Sequence, residues 1–375
     1  MIYLDYASTT PMDEEVLSGY QSTLQKYFVN SESLYSLGQE VFDVLEKSRQ
    51  YTASLLPCLP NEIIFTSGAS ESNNLAIKGI AFKYQKYGKH LITSKIEHSS
   101  VIHTFEQLES EFGFEVTYLD VDYNGVVSLS QLQEVVREDT ILCSIMYVNN
   151  EIGSIQPIEE IATIVKKYPK CSFHVDAVQA IGKIPLRLTN VDLVSISAHK
   201  IHGLKGSGIL IKKRHVELLP LINGGQQEFG LRGGTSNVCV HIMFAKTLRL
   251  ALEKMDTNYT YVKELNDYLR DKLSSISEVI INSPKESSPY ILSLSCIKLP
   301  SEVHMNALSN KGIYVSAKST CGSKQKVDSH VLTAMKLPNE IVQSVIRVSF
   351  SHMTTIEDID VFVDAIKENI EKYGI

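Results

Sequence analysis

From about Glu62 to Lys213, short apolar runs alternate with segments of helical periodicity, and this alternation restricts the possible fold more than any other feature. The runs are EIIFTS, KHLITS, FEVTYLDV, TILCSIMYV, CSFHVDAV, VDLVSISA and SGILIKK. Amphipathic stretches such as SNNLAIKGIAFKYQKY, LSQLQEVVRE and IEEIATIVKKY lie between several of them. Strands alternating with helices imply a mainly parallel sheet covered on both faces. After about Asp256 the character changes. A helical stretch, YTYVKELNDYLRDKLSSI, precedes the short strand-like runs EVIINS, YILSLSCI, IYVSA and VIRVSFS. A last helix is signalled by Ile356, Ile359, Phe362, Val363, Ile366 and Ile370 on one face, with Thr355 and Asp358 placed as a capping box. We read a large α/β domain over 14–255 and a smaller α+β domain formed by 1–13 and 256–375.

Composition narrows the function classes. The 375 residues carry 36 basic and 43 acidic side chains, a net charge of −7. That balance lacks the basic footprint of a general nucleic-acid binder. The start, MIYLDYASTTP, has no signal-peptide layout, and no apolar stretch approaches the roughly 20 residues that span a bilayer. The expectation is a soluble cytoplasmic protein with no membrane partner. Six scattered cysteines, at 58, 143, 171, 239, 296 and 321, show neither a C-x-x-C pair nor zinc spacing, so a disulfide framework is not expected.

In open α/β sheets, ligands bind beyond the carboxyl ends of the strands. Here those ends are polar: Gly68-Ala69-Ser70-Glu71-Ser72-Asn73 after the first run, Lys95 to His98 after the second, Asn149-Asn150-Glu151, Asp176 with Gln179, and Ala198-His199-Lys200. Ser67-Gly68-Ala69-Ser70 joins a strand to a helix, where free N–H groups and the helix dipole favour an anion; an ordinary helix cap reads the same way. Ser197 and His199 stand ready as further donors. Nucleotide-binding glycine fingerprints are missing. Lys200, at the end of an apolar run, is a candidate desolvated amine suited to a Schiff base, or a snorkelling surface lysine. Asp176 can hold a pyridinium nitrogen protonated or simply cap a helix. His98 can stack on a flat ring, shuttle a proton, or be structural. His199 and His202 find no carboxylate or cysteine to complete a metal set, so no metal site is expected. Cys321 differs from the other cysteines: its surroundings, KSTCGSKQK, are polar and basic, which favours thiolate, although an exposed thiol without a role fits as well.

Taken together, the chain resembles the cysteine desulfurases, pyridoxal-phosphate enzymes of the class V aminotransferase family with the type I fold of PLP-dependent transferases. The resemblance rests on LDYASTTP, IIFTSGASESNNLAIKG, HLITSKIEHSSV, VNNEIGSIQPI, FHVDAVQAIGKIP, SISAHKIHGLKGSG, LRGGTSNV, the Cys321 segment and IRVSFS, in order and nearly end to end. Its long Cys321 segment is similar to that of the group I branch. The resemblance implies that Lys200 holds pyridoxal 5'-phosphate covalently. Asp176 would pair with the ring nitrogen, Gln179 with the ring hydroxyl, and His98 would stack on the ring. Ala69, Ser70, Ser197 and His199 would bind the phosphate. Thr235 would reach the phosphate of the other subunit, which implies a homodimer. Asn30, Asn150 and Arg347 would hold the substrate, with Asn150 also beside the cofactor and the Arg347 fork on the substrate carboxylate. L-Cysteine would become L-alanine, its sulfur passing to Cys321 as a persulfide.

Some positions depart from the family pattern. Asn30-Ser31 and Tyr35 replace an Asn-Pro pair and a nearby histidine, and Lys318 stands where glycine is common. We expect Lys318 to favour the Cys321 thiolate. The chain stops soon after its last helix, whereas some relatives continue with a tail that docks an iron–sulfur scaffold. A scaffold for iron–sulfur cluster assembly and a tRNA-thiolating enzyme are therefore both expected as possible sulfur acceptors. Two other readings stay open at this point: a selenocysteine or cysteine lyase that needs no protein persulfide, and a non-enzymatic sulfur-relay scaffold on the same fold.

Overall fold

The seven apolar runs form one sheet. The computed structural model describes residues 1–317 and 328–374. The strands in chain order are β1 (Ile2–Tyr3), β2 (Ile63–Thr66), β3 (His90–Ser94), β4 (Glu115–Leu119), β5 (Thr140–Met146), β6 (Ser172–Asp176), β7 (Leu193–Ser197), β8 (Gly208–Lys212), β9 (Val279–Ile281), β10 (Ile291–Cys296), β11 (Ile313–Tyr314) and β12 (Val345–Ser349). The large sheet has the order β2-β8-β7-β6-β5-β3-β4. Its ladders are parallel from β7 through β4, and β8 alone runs against the rest.

Strand periodicity accounts for the two-faced covering. Ile63, Phe65, Ile92, Cys143, Val194, Ile209 and Ile211 enter one apolar cluster. Their chain neighbours Ile64, Leu91, Leu142, Leu193 and Leu210 enter another. Successive side chains of a strand point to opposite faces, so a strand covered on both sides is apolar at nearly every position. β5 is buried at all seven positions. Helix Ala69–Tyr84 supplies Leu75, Ala76, Ile77 and Ile80 to one cover. Helices Ser36–Ser54 and Val238–Glu253, which the sequence reading had not picked out, supply Val41, Leu45, Phe244 and Leu248 to the other.

A third cluster lies beside a three-stranded antiparallel sheet, β12-β10-β9. Helices Met255–Ser274 and Ile356–Tyr373 pack on it through Val262, Leu265, Leu269, Ile359, Phe362 and Ile366. The capping box at Thr355 and Asp358 is present, each residue bonding the other's backbone N–H. β11 does not join this sheet. It pairs in parallel with β1, and just beyond it Ser316 makes an isolated antiparallel bridge to Arg347 of β12, so IYVSA links the two ends of the chain. Beyond β1, Asp5 bridges to Ser349, and the Ala7 N–H donates to Ser349 Oγ at 2.8 Å. The N-terminal segment is thus clamped between β11 and β12, and this brings residues 5–10 to the carboxyl ends of β6 and β7.

Candidate active site

The polar strand ends converge. A cavity of about 480 Å³ lies beyond β2, β5, β6 and β7 and is lined among others by Ala69, Ser70, His98, Asn150, Asp176 and Gln179. Ser197, His199, Lys200 and Arg347 complete the set that the sequence had proposed for one site. Asn30 and Thr235 do not line it. Asn30 is exposed, and its Oδ1 accepts from the Glu32 N–H at 3.0 Å. Thr235 lines a neighbouring cavity with Arg232 and Glu228, which shares Ser67 and Gly206 with the first. Lys318 and Cys321 lie outside the described residues.

Each side chain is set by the element that carries it. Lys200 follows β7 in a single 3₁₀ turn, and its Nζ donates to Ala7 O at 2.7 Å and to Ser8 O at 2.6 Å. The N-terminal segment therefore positions the amine. Asp176 ends β6; its Oδ1 accepts from the Val178 N–H at 3.0 Å and its Oδ2 from Asn73 Nδ2 at 2.8 Å. Asn73 enters the sequence reading only as the end of a polar stretch with no role of its own, and the same Nδ2 also donates to Ser100 Oγ at 2.9 Å. Ser100 Oγ lies 2.8 Å from His98 Nδ1, and that nitrogen accepts from the Ser100 N–H at 3.2 Å. Because Asn73 supplies the donor to Ser100, the hydroxyl proton is left for His98 Nδ1, which assigns the ring proton to Nε2. One buried amide so links the carboxylate under the site to the imidazole above it.

The anion end is built from backbone. Gly68 precedes helix Ala69–Tyr84 with φ of 144°, a conformation glycine adopts without strain. A Cβ on Gly208 would lie 2.6 Å from Gly68 Cα, so this strand end must also be glycine for the two backbones to pass. The first N–H groups of that helix open toward Ser197 and His199, as an anion requires. Burial, then the charges of Lys200 and Lys205, push His199 down to about 4, so its ring is neutral. Its Nδ1 lies 3.1 Å from Thr9 Oγ1. Lys205, unremarked in the sequence, also lines the cavity and adds positive charge. Glu71 beside this end is occupied: Arg232 Nε and the Ser67 N–H both donate to it.

Arg347 on β12 is 2% exposed. Its Nη1 donates to Asn150 O at 2.7 Å, and its Nη2 to Asp5 Oδ1 at 2.8 Å and Ser8 Oγ at 2.7 Å. Its Nε is buried without a partner, a donor aimed at no protein acceptor. Among the described residues no group of three or more His, Cys, Asp and Glu could hold a metal ion, and no helix is long and apolar enough to cross a membrane.

Residues 2–362 match the family described as Aminotransferase class-V. The chain belongs to the class V aminotransferases. It is 42% identical to the cysteine desulfurase IscS of Dictyoglomus turgidum, over 99% of this chain and 95% of that one. It is 43% identical to a NifS/IcsS protein homolog of Lactobacillus delbrueckii subsp. bulgaricus, over 100% of this chain and 98% of the other. The solved structure of a NifS-like protein superposes with a TM-score of 0.93 at 39% identity, covering 99% of both chains. The α/β architecture with its mainly parallel sheet is thus that of the NifS-like, PLP-dependent fold.

This family of enzymes depends on pyridoxal 5'-phosphate, and the residues present fit that group. The cavity offers an amine for its aldehyde, helix N–H groups for its phosphate and a hydrogen-bonded carboxylate for its ring nitrogen, with Arg347 in the same wall.

Proposed function

We propose that the chain is a pyridoxal-phosphate-dependent cysteine desulfurase, converting L-cysteine and the Cys321 thiol into L-alanine and a Cys321 persulfide. The observation that carries this reading is the convergence of Lys200, Asp176, Gln179 and His98 on one cavity in a chain of this family. In the balanced reaction, the Cys321 sulfur bonds to the substrate sulfur, the substrate C–S bond breaks, and Cβ gains a proton.

When bound, the cofactor supplies an electron sink that acidifies the substrate Cα–H. Lys200 Nζ is the base that takes that proton and holds it in the cavity. Asp176, anchored by Asn73 and the Val178 N–H, keeps a proton on the ring nitrogen. Gln179 is assigned to the ring hydroxyl and His98 to the ring face. Ala69, Ser70, Ser197 and His199 are assigned to the phosphate. Arg347 takes the substrate carboxylate, assisted by Asn150 and Asn30. Thr235 is assigned to the phosphate of a second copy, which makes the working form a homodimer and explains why it lies apart from the cavity of its own chain. The separate apolar clusters support a division into a cofactor-binding part, 14–255, and a smaller part, 1–13 with 256–375, although Val331 to Val345 pack into the larger cluster. The unpaired thiols of Cys58, Cys143, Cys171, Cys239 and Cys296 suit a cytoplasmic setting. The sulfur acceptor is either an iron–sulfur scaffold or a tRNA-thiolating enzyme.

The purified protein should be yellow, and borohydride should fix the colour-bearing group on Lys200. With L-cysteine and a thiol it should release alanine and sulfide and show a persulfide on Cys321. Cys321→Ser should abolish sulfide release. A variant that keeps its turnover would show a lyase that needs no persulfide, a colourless protein would favour the scaffold reading, and pyruvate in place of alanine would indicate another reaction.

A further inference from the structure

A buried lysine behind the site has no role in the scheme above. Lys183, seven residues past the end of β6, is 7% exposed, and no carboxylate forms an ion pair with it among the described residues. Its Nζ donates to Gln179 Oε1 at 2.8 Å and stands 5.7 Å from the centre of the Tyr290 ring. An unpaired ammonium so placed costs several kcal/mol, roughly, unless something compensates it. Resting on the desulfurase reading, we propose that Lys183 is a positioning residue for the cofactor: it locks the Gln179 amide with its N–H end toward the ring hydroxyl and places positive charge behind Lys200.

The polarity argument is chemical. While charged, the Lys183 ammonium donates and never accepts, so the carbonyl end of Gln179 faces it. The Nε2 end is then turned to Ala7 O, to which it donates at 2.9 Å, and one N–H remains for the cavity. Ala7 O also accepts from Lys200 Nζ, so a single run of contacts joins Lys183, Gln179, Ala7 and Lys200. Without Lys183 nothing stops the amide from turning over and setting its oxygen against a ring oxygen that carries negative charge.

The surrounding charges act in the same direction. Burial first, then Lys200 and Arg347, push Lys183 down to about 7. The repulsion is mutual, so a charge on Lys183 disfavours one at Lys200. A small cavity of about 50 Å³ lies between Lys183 and Lys200, and its lining adds Lys254 and, as its one carboxylate, Asp13. His202 and His352 line it too and are held neutral by burial, His202 at about 4. Tyr6 and Tyr290 complete its titratable lining, and burial keeps both phenols protonated.

The test uses purified holoenzyme and apoenzyme of wild type, Lys183→Met, Lys183→Arg, Gln179→Ala and the Gln179→Ala/Lys183→Met double variant. In Lys183→Met the pH midpoint of the visible absorption band should rise by about one unit, and apoenzyme affinity for pyridoxal phosphate should fall on the order of tenfold. Lys183→Arg, which keeps charge and donor, should stay within about twofold of wild type in affinity. On the Gln179→Ala background, Lys183→Met should change affinity by less than about twofold, because the two side chains act as one unit. Equal losses of affinity on both backgrounds, or an unmoved midpoint in Lys183→Met, would overturn the proposal. If Lys183→Met does not melt cooperatively, the same readouts on Lys183→Gln, neutral and polar, decide it. Wild-type colour and borohydride trapping test the desulfurase reading separately.

Discussion

At the scale of single residues, the cavity depends on buried polar groups whose partners lie far along the chain. Asn73 sits within a helix that otherwise reads as plain packing, yet its amide holds Asp176 and Ser100 together. Asn73→Ala removes a donor from a buried carboxylate, a loss of about 1–3 kcal/mol. We expect kcat to fall by roughly 10- to 100-fold and the melting temperature to drop by roughly a few degrees, as steady-state rates and thermal scans would show. Glu97 is a second such residue. It is fully buried next to His98, with Ser94 Oγ at 2.5 Å and the Met146 N–H at 3.1 Å on its Oε1, while its Oε2 has no partner. Burial raises it from 4.5 to about 8, so the folded protein holds a proton there that the unfolded chain releases. The stability it lends is complete below the unfolded value of 4.5 and drains away as pH climbs toward 8. Glu97→Gln copies the protonated form, so urea unfolding of this variant should lose the decline that wild type shows between those pH values. An identical decline in both proteins would contradict the assignment.

At the scale of elements, one ion pair ties the sheet edge to its cover. Arg49 of helix Ser36–Ser54 meets Glu228 through two bonds of 2.7 and 2.9 Å, and it donates also to Ile63 O. Glu228 accepts in addition from the Phe65 N–H of β2, and this holds Glu228 and Phe229 in left-handed backbone conformations, at φ of 46° and 58°. Both charges are buried, and without Glu228 the arginine keeps only Glu46, whose Oε1 accepts from its Nε at 3.0 Å. Glu228→Ala should cost about 3–5 kcal/mol in denaturant unfolding. By contrast, Thr355→Ala at the start of helix Ile356–Tyr373 removes an exposed cap and should cost only about 1 kcal/mol in the same experiment. This contrast also marks what was legible in the sequence. Local signals such as the capping box and the strand runs could be read, because each is decided within a few neighbouring residues. Helices Ser36–Ser54 and Val238–Glu253 were missed, their apolar positions being interrupted by Arg49 and His241, buried polar residues whose partners lie far along the chain. The pairing of β11 with β1 rather than with β10 is likewise a choice between distant segments, and local periodicity carries no information about it.

At the scale of the whole molecule, the exposed apolar residues of the N-terminal region call for a partner surface. Phe28 is 81% exposed, and Leu34, Tyr35 and Leu37 stand exposed nearby. Apolar side chains gathered in this way mark an interaction surface. A second copy is the occupant that the Thr235 assignment requires, so light scattering should give about 84 kDa, twice the 41.9 kDa of one chain. A mass near 42 kDa at micromolar concentration would remove Thr235 from the phosphate site along with the dimer. The residues that line the cavity could be picked out in the sequence because strand ends expose them in runs of polar letters. The roles of Lys183, Asn73 and Glu97 could not, since a buried polar residue differs from a surface one only through contacts that the letters do not record.

The clamp on the N-terminal segment has a temporal side. Ser349 hydrogen-bonds the backbone at Leu4 and Ala7, and the Ala7 and Ser8 carbonyls accept from Lys200 Nζ. During translation these early residues wait, unpaired, while more than three hundred others are made. The vitamin pocket closes only once β12 has cleared the ribosomal tunnel, so cofactor loading belongs to the finished polypeptide and not to the nascent one.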